Sequence, residues 1–292
     1  MPATPSRHRE SNRIAAIRPL APAIGAEIEG LDLRQELDEA AFQEVRAAWH
    51  ERGILLFRGQ SLDEDEELRF ASRFGPIAPL VTRHDVKFKP GVMLVSNIRE
   101  NGKEIGVLPD GEMYFHSDQC YAEKPLAATL LFAIEIPKIG GNTLFSNQYA
   151  AYETLPEEVK RRIAGLKAMN VYDYGSNATI RKGSLRAQAE RGEVPCFAHP
   201  IVRTHPETGR KALFLNRLMT DYVVGMGPAE SDALLGYLFE HQEDRRFVYE
   251  HRWRVGDLMM WDNRCTLHAR TDFPTTERRL LRRVIVQGDK PY

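Results

Sequence analysis

The chain has 292 residues, enough for one large domain or two small ones, and its 42% hydrophobic content can fill a sizeable core. Lys+Arg at 40 against Asp+Glu at 41 gives no electrostatic reason to expect nucleic acid or an anionic membrane as partner. A small anionic substrate held by a few local arginines stays open. The three cysteines, Cys120, Cys196 and Cys265, are odd in number, far apart and without a C-x-x-C, which suits a reducing compartment rather than a disulfide framework. The first residues, MPATPSRHRESNR, are polar and lack an apolar h-region, and no apolar run approaches the length of a membrane span. The expectation is a soluble, cytoplasmic protein with a frayed N-terminus over 1–12 and a single domain over 13–292.

In chain order, DEAAFQEVRAAWHER places Phe42, Val45 and Trp49 on one face of a helix over 38–52, and Gly53 ends it. ILLF (54–57) reads as a buried strand. In SLDEDEELRFASRFG, Ser61 with Glu64 makes a capping box, acids fill the first turn and Gly75 closes the helix. Between 76 and 113 PIAPL, KPG, ENGKEIG and LPDG punctuate one short strand, VMLVSNI (92–98). That irregular stretch reads either as a substrate lid or as a surface loop with no role. PLAATLLFAIEI (125–136) predicts one or two strands, followed by a Gly140-Gly141 turn into NTLFSN. Helices are expected over 155–166 and 229–242, and strands over 256–262 and 279–288. Strands at both ends with helices between, and no repeat or composition break, predict one α+β domain with helices outside a β-sandwich or barrel.

The chemistry begins in YFHSDQCY (114–121). If 113–120 is extended, His116 and Asp118 project to one face and Ser117 to the other. An imidazole nitrogen and a carboxylate oxygen so placed can share a metal ion, but H-x-D alone arises often by chance. His268, in WDNRCTLHAR, follows a strand and ends a turn, so it could close on the first pair, although a histidine so placed is more often a hydrogen-bonded core or loop residue. In RLLRRVIVQ the alternation puts Arg282 and Arg283 on opposite faces, so one points inward and needs an anion, either a ligand carboxylate or an internal Asp or Glu. His116, Asp118 and His268 with an inward arginine would make a 2-His-1-carboxylate triad, whose open positions suit non-haem Fe(II), a bidentate 2-oxo acid and O2.

These residues, with GGNTLFSN, HPIVRTHPETGRKALFLN and WDNRCTLHAR in order, carry a resemblance over nearly the whole chain. The sequence resembles the taurine dioxygenase/2,4-D dioxygenase family of Fe(II)- and 2-oxoglutarate-dependent oxygenases. The resemblance implies a double-stranded β-helix (jelly roll), mainly β at its core, with helices packed outside. It implies His116, Asp118 and His268 as iron ligands, and Arg283 with Thr143 on the far carboxylate of 2-oxoglutarate. Arg279 falls on another arginine near the cofactor, and Trp261 and Asn263 on supports of the pocket. With Asp118 present, oxygen transfer is implied rather than halogenation: oxidative decarboxylation of 2-oxoglutarate to succinate and CO2, coupled to hydroxylation of a small anionic substrate. The family resemblance further implies a homo-oligomer, dimer or tetramer.

Departures fall where substrate is chosen. Pro79 and Leu80 stand where taurine dioxygenase has a sulfonate-binding histidine, with His84 a few residues on; Glu112 replaces an asparagine and Met219 an aromatic residue. Taurine is therefore not the expected substrate, and Arg83, His84, Glu112, Gln119 and Met219 are the candidate substrate contacts. Two other readings compete. Cys120 and Cys265 could turn the site into a zinc-dependent hydrolase, or the fold could be a jelly-roll binding protein without catalysis.

Overall fold

The computed structural model describes residues 12–79, 89–108, 111–172 and 195–292. Arg83, His84 and Leu80 lie outside the described residues, as do residues 1–11. Asn12, assigned to the frayed terminus, exchanges two hydrogen bonds with the Asp32 backbone, at 2.8 and 3.0 Å.

The elements run β1 (Ala16–Pro19), β2 (Ala26–Glu29), α1 (Glu39–Arg52), β3 (Ile54–Phe57), α2 (Glu64–Ser72) and β4 (Val92–Ser96). A small hairpin, β5 (Arg99–Glu100) and β6 (Lys103–Glu104), precedes β7 (Met113–His116), β8 (Leu126–Glu135) and β9 (Thr143–Asn147). Then come α3 (Gln148–Glu153), α4 (Glu157–Ile163), β10 (Lys167–Val171), β11 (Cys196–Pro200), β12 (Val202–Thr204), β13 (Lys211–Leu213) and β14 (Thr220–Val223). The chain ends with α5 (Pro228–Gln242), β15 (Val248–His251), β16 (Leu258–Asp262), β17 (Thr266–Arg270) and β18 (Leu280–Gln287).

Two sheets frame the site. A seven-stranded sheet has the order β1-β2-β3-β16-β8-β18-β4, and a four-stranded sheet the order β15-β9-β17-β7. Strand parity sorts their side chains into layers. On one face of the large sheet, Leu55, Phe57, Leu130, Phe132, Leu258, Met260, Val284 and Val286 pack against Phe42, Val45 and Trp49 of α1 and Phe70 of α2. On the other face, Ile54, Leu56, Leu131, Met259, Trp261 and Leu281 meet Phe145 of the small sheet. Helices, large sheet and small sheet thus form three layers, with the strand residues of odd number on β8, β16 and β18 facing the space between the sheets.

The helices start where side chains satisfy their first amide groups. Asp38 caps α1 by accepting from Ala41 N, and Gly53 takes the left-handed conformation (φ 70°) that ends it. The capping box of α2 is Asp63 with Glu66, not Ser61 with Glu64. Both pairs have the same spacing; the helix begins two residues later than predicted, so the later pair reaches the open amides. The stretch 125–136 forms a single ten-residue strand, and the predicted strand over 92–98 ends at Ser96. Helix α3 and the strands β10 to β14 were not anticipated; they build a satellite core with α5 around Ile163, Leu213, Leu215, Leu235 and Leu238.

Candidate active site

His116 is the last residue of β7, and His268 lies in the middle of β17, where the two are direct register partners. Cross-strand partners share a face, and here their rings lie 4.1 Å apart between centroids. His268 therefore reaches His116 by strand pairing and not by closing a turn. Asp118 departs from the expected geometry in the opposite sense. Strand β7 ends at His116, and Asp118 sits in the turn that follows, with Gln119 in the left-handed region at φ 53°. The structure does bring the expected pair together, but the turn and not the pleat aims the carboxylate.

The ligand atoms of His116, Asp118 and His268 all lie within 4.8 Å of one another. Each imidazole Nε2 is 3.9 Å from one Asp118 oxygen, His116 from Oδ1 and His268 from Oδ2. Nδ1 of His116 bonds to the Tyr114 carbonyl at 2.9 Å, which sets the ring so that Nε2 faces the carboxylate. Burial pushes both imidazoles below the usual histidine range, that of His268 strongly. Burial also works to raise the Asp118 carboxyl, but its neighbours, the Arg283 guanidinium first among them, outweigh it and hold the group well below the carboxylate range. Two neutral imidazoles and one carboxylate, already ionised, form the donor set that suits non-haem Fe(II) with positions left for other ligands.

Four side chains frame this set. Thr129 of β8 donates its hydroxyl to Asp118 Oδ2 at 2.6 Å, and Asn263 Nδ2 donates to Thr129 Oγ1 at 2.9 Å. Asn263 Oδ1 accepts from Trp261 Nε1 at 3.1 Å and from Asp118 N at 3.3 Å. Ser117 is more than a spacer, since its hydroxyl donates to the Asn263 carbonyl at 2.9 Å. Thr129 was missed from the sequence; its odd position on β8, facing the space between the sheets, is the only signal that could have found it.

The arginines separate by depth. Arg282 points to the helix side, where its Nε bonds Glu67 at 2.5 Å and its Nη2 bonds the Leu62 and Asp63 carbonyls. It has the internal acid partner that the sequence left open. Arg283, one residue on, faces between the sheets with Nη2 2.8 Å from Asp118 Oδ1. Arg279 is 2% exposed, and its Nε and Nη1 have no hydrogen-bond partner among the described residues. Burial, with Arg270 as a neighbouring like charge, lowers its pKa to about 9. The Arg279 side chain passes beside Gly141, two residues before Thr143. Thr143 Oγ1 accepts from Trp253 Nε1 at 3.0 Å, so its own hydroxyl hydrogen can turn to another acceptor.

The candidate substrate contacts divide. Glu112 is exposed and Gln119 half-buried at the turn beside Asp118. Met219 is buried, with its sulfur 3.5 Å from Cys120 Sγ in the turn that carries Asp118. The Cys120 thiol, which also accepts from Asn216 Nδ2, is thereby turned away from the ligand cluster. Cys265 belongs to a different group, with His205 and Asp262. Neither cysteine joins the triad as the zinc reading required.

A sheet-framed 2-His-1-carboxylate site with a buried arginine defines the class of non-haem iron, 2-oxo-acid-dependent oxygenases. Residues 16–285 match the family described as "Taurine catabolism dioxygenase TauD, TfdA family". The chain is 35% identical over 283 residues to the alpha-ketoglutarate-dependent 2,4-dichlorophenoxyacetate dioxygenase of Cupriavidus pinatubonensis, covering 93% of this chain and 97% of the other. It is 32% identical to the (S)-phenoxypropionate/alpha-ketoglutarate-dioxygenase of Sphingobium herbicidovorans, covering 94% and 95%. Among solved structures, AAD-2 in complex with Mn(II) and N-oxalylglycine superposes with a TM-score of 0.79 at 31% identity, covering 94% of this chain and 98% of the other. The chain belongs to this family of 2-oxoglutarate-dependent dioxygenases, oxidoreductases that use Fe(II), 2-oxoglutarate and O2.

Proposed function

We propose that His116, Asp118 and His268 hold the Fe(II), and that Arg279 with Thr143 binds the far carboxylate of 2-oxoglutarate. The observation that carries this reading is the buried, mutually facing donor set, whose ligand atoms all lie within 4.8 Å of one another. Arg279 takes the role that the family pattern first gave to Arg283, for a physical reason. A fully buried guanidinium without an internal acid needs an anion, whereas Arg283 already has Asp118. Arg283 is then left to face an anionic group close to the metal ligands, from the co-substrate's 2-oxo acid end or from the substrate. The bound iron supplies oxygen activation, and the surrounding residues hold the co-substrate, orient the substrate and keep bulk water out.

The substrate in this reading is a small organic acid, hydroxylated as 2-oxoglutarate is converted to succinate and CO2. Its support is the set of relatives named for aryloxyalkanoates, together with one named an alpha-ketoglutarate-dependent sulfate ester dioxygenase. Glu112, exposed just before β7, and Gln119, in the turn beside Asp118, are candidate substrate contacts with Met219, and Arg83 and His84 remain candidates from the sequence alone. Taurine is not the substrate proposed. The two facing sheets are read as the double-stranded β-helix (jelly roll) of one domain over 13–292. The protein is read as a cytoplasmic homo-oligomer, a dimer or tetramer; Cys120, Cys196 and Cys265, none of them in a disulfide, support a reducing compartment. No helix among the described residues is long and apolar enough to cross a membrane.

Anaerobic Fe(II) with 2-oxoglutarate is expected to give a weak visible charge-transfer band in the wild-type protein that is absent in His268→Ala. O2-dependent succinate release over a panel of aryloxyacids, alkyl sulfates, sulfonates and other organic acids would then name the substrate class. No band, and no succinate with any member, would refute the reading.

A further inference from the structure

We propose that Thr129 and Asn263 are positioning residues that fix the rotation of the Asp118 carboxylate through a one-way chain of hydrogen bonds starting at Trp261. The inference rests on the reading of Asp118 as a metal ligand. It adds that this ligand is oriented by its own dedicated relay.

The direction of every bond in the chain is determined. An indole N–H can only donate, and so can a backbone N–H. Trp261 Nε1 and Asp118 N both point at the same side-chain atom of Asn263, which must be its oxygen. The Asn263 amide is therefore turned with Nδ2 toward Thr129 Oγ1, at 2.9 Å. A hydroxyl has one hydrogen. With Thr129 Oγ1 accepting from Asn263, that hydrogen goes to Asp118 Oδ2, which as a carboxylate can only accept, at 2.6 Å. A donor-only group at one end and an acceptor-only group at the other leave no second arrangement.

Two further contacts tie the same unit together. Ser117 Oγ donates to the Asn263 carbonyl, so the turns on either side of the site are joined at both the side chain and the backbone of one asparagine. Trp261, Thr129 and Asn263 are each at most 1% exposed, so no water competes for these bonds. Trp261 also packs on His268, with ring centroids 4.7 Å apart. The residue that heads the relay to the carboxylate thus also backs the distal imidazole. Asp118 has no neighbouring strand to hold it, because it lies in a turn; the relay replaces the rigidity that the pleat would have given.

The test compares Thr129→Val, which keeps the shape and removes the hydroxyl, with Thr129→Ser, which restores it. Co(II) and Fe(II) binding are measured anaerobically by titration calorimetry, and the Co(II) ligand-field spectrum is recorded alongside. Loss of an outer partner of a ligand typically lowers metal affinity about 10- to 100-fold. Thr129→Val is expected to show that loss with a changed Co(II) spectrum, and Thr129→Ser to stay within about threefold of wild type. Trp261→Phe, which keeps a ring and drops only the head of the relay, is expected to weaken binding in the same direction. It serves as the test if Thr129→Val does not fold. Wild-type affinity and spectrum in Thr129→Val, or in Trp261→Phe if that is the variant available, would overturn the relay. An equal loss in Thr129→Ser and Thr129→Val would do the same, by showing that packing alone matters. Failure of the wild-type protein to bind metal, or binding that survives His268→Ala, would instead overturn the site reading beneath it.

Discussion

Replacing Arg279 with methionine should push the protein in two opposite directions at once. The guanidinium is 2% exposed, and two of its nitrogens have no partner among the described residues. Its pKa falls from the ordinary arginine range to about 9, with burial as the largest cause. At about 1.4 kcal/mol for each tenfold change in an ionisation constant, that fall corresponds to a charge-burial cost on the order of 5 kcal/mol. Replacing buried charge with a packed apolar side chain typically recovers about 1–4 kcal/mol of it. Each kcal/mol moves the midpoint of a chain this size by about 2 °C, so Arg279→Met without co-substrate should unfold several degrees above wild type. Its 2-oxoglutarate affinity should fall about 10- to 150-fold, because a charge-assisted hydrogen bond is worth about 1.5–3 kcal/mol. Thermal unfolding with Mn(II), with and without 2-oxoglutarate, reads both effects in one series. Wild type should gain several degrees from saturating co-substrate, and the variant almost none. Destabilisation of the ligand-free variant would mean that Arg279 has an internal anion. An undiminished shift with 2-oxoglutarate would show that another arginine holds the far carboxylate.

Gly141→Ala attacks the same anchor from its backbone. At φ 65° an added Cβ is strained and would sit 2.9 Å from Pro137 Cγ and 3.4 Å from Arg279 Cδ and Nε, so the KM for 2-oxoglutarate should rise and stability fall by about 1 kcal/mol; an unchanged KM would detach Arg279 from the co-substrate. Arg282→Met should cost about 3–5 kcal/mol in urea denaturation, because it leaves the buried Glu67 carboxylate alone between α2 and β18; a loss under 1 kcal/mol would contradict that pairing. His199 donates Nε2–H to the Ala122 carbonyl at 2.8 Å in the neutral form, and burial lowers its pKa to about 4. The unfolded chain then binds the proton more readily, so this contribution is complete above pH 6.5 and is lost as pH falls toward 4. The loss by pH 5 should be about 2 kcal/mol, and denaturation of His199→Gln between pH 7.5 and 5 should show a correspondingly shallower dependence.

What could be read from the sequence was spacing. His116, Asp118, His268 and the arginine pair stand at fixed intervals along strands and turns, and the parity of β18 correctly sent Arg282 and Arg283 to opposite sides of the sheet. What could not be read was depth. Nothing in RLLRRVIVQ tells that Arg283 stops at Asp118, or that Arg279, just before the strand, is sealed from solvent without an acid partner among the described residues. Burial is set by β4, β8 and the Gly140-Gly141 turn, elements distant in the chain. The same limit hid Thr129, an ordinary strand residue until β8 is laid beside the turn after β7. Local rules also misled where two candidates had identical spacing, as with the two possible capping boxes of α2.

A second cluster shows why residue types alone do not make a metal site. His205, Asp262 and Cys265 bring their ligand atoms within 4.8 Å, as closely as the triad does, and all three are buried. Yet each donor is already committed. His205 Nδ1 accepts from the Glu207 and Thr208 amides, and Nε2 donates to Asp262 at 2.9 Å. Arg264 takes both Asp262 oxygens in a bidentate pair at 2.8 Å. Burial raises the Cys265 thiol, with Asp262 adding to it, so the thiolate that a metal needs is disfavoured. A cation entering there would have to displace a guanidinium and two backbone donors. In the triad, both Nε2 atoms face the carboxylate at 3.9 Å, too far for a hydrogen bond and suited to an ion between them. The saturated cluster clamps the turn that follows β16, and that turn carries Asn263. Asp262 of the WDNR segment is therefore consumed in building the support, so that the asparagine beside it can hold Asp118, whose carboxylate faces both triad imidazoles.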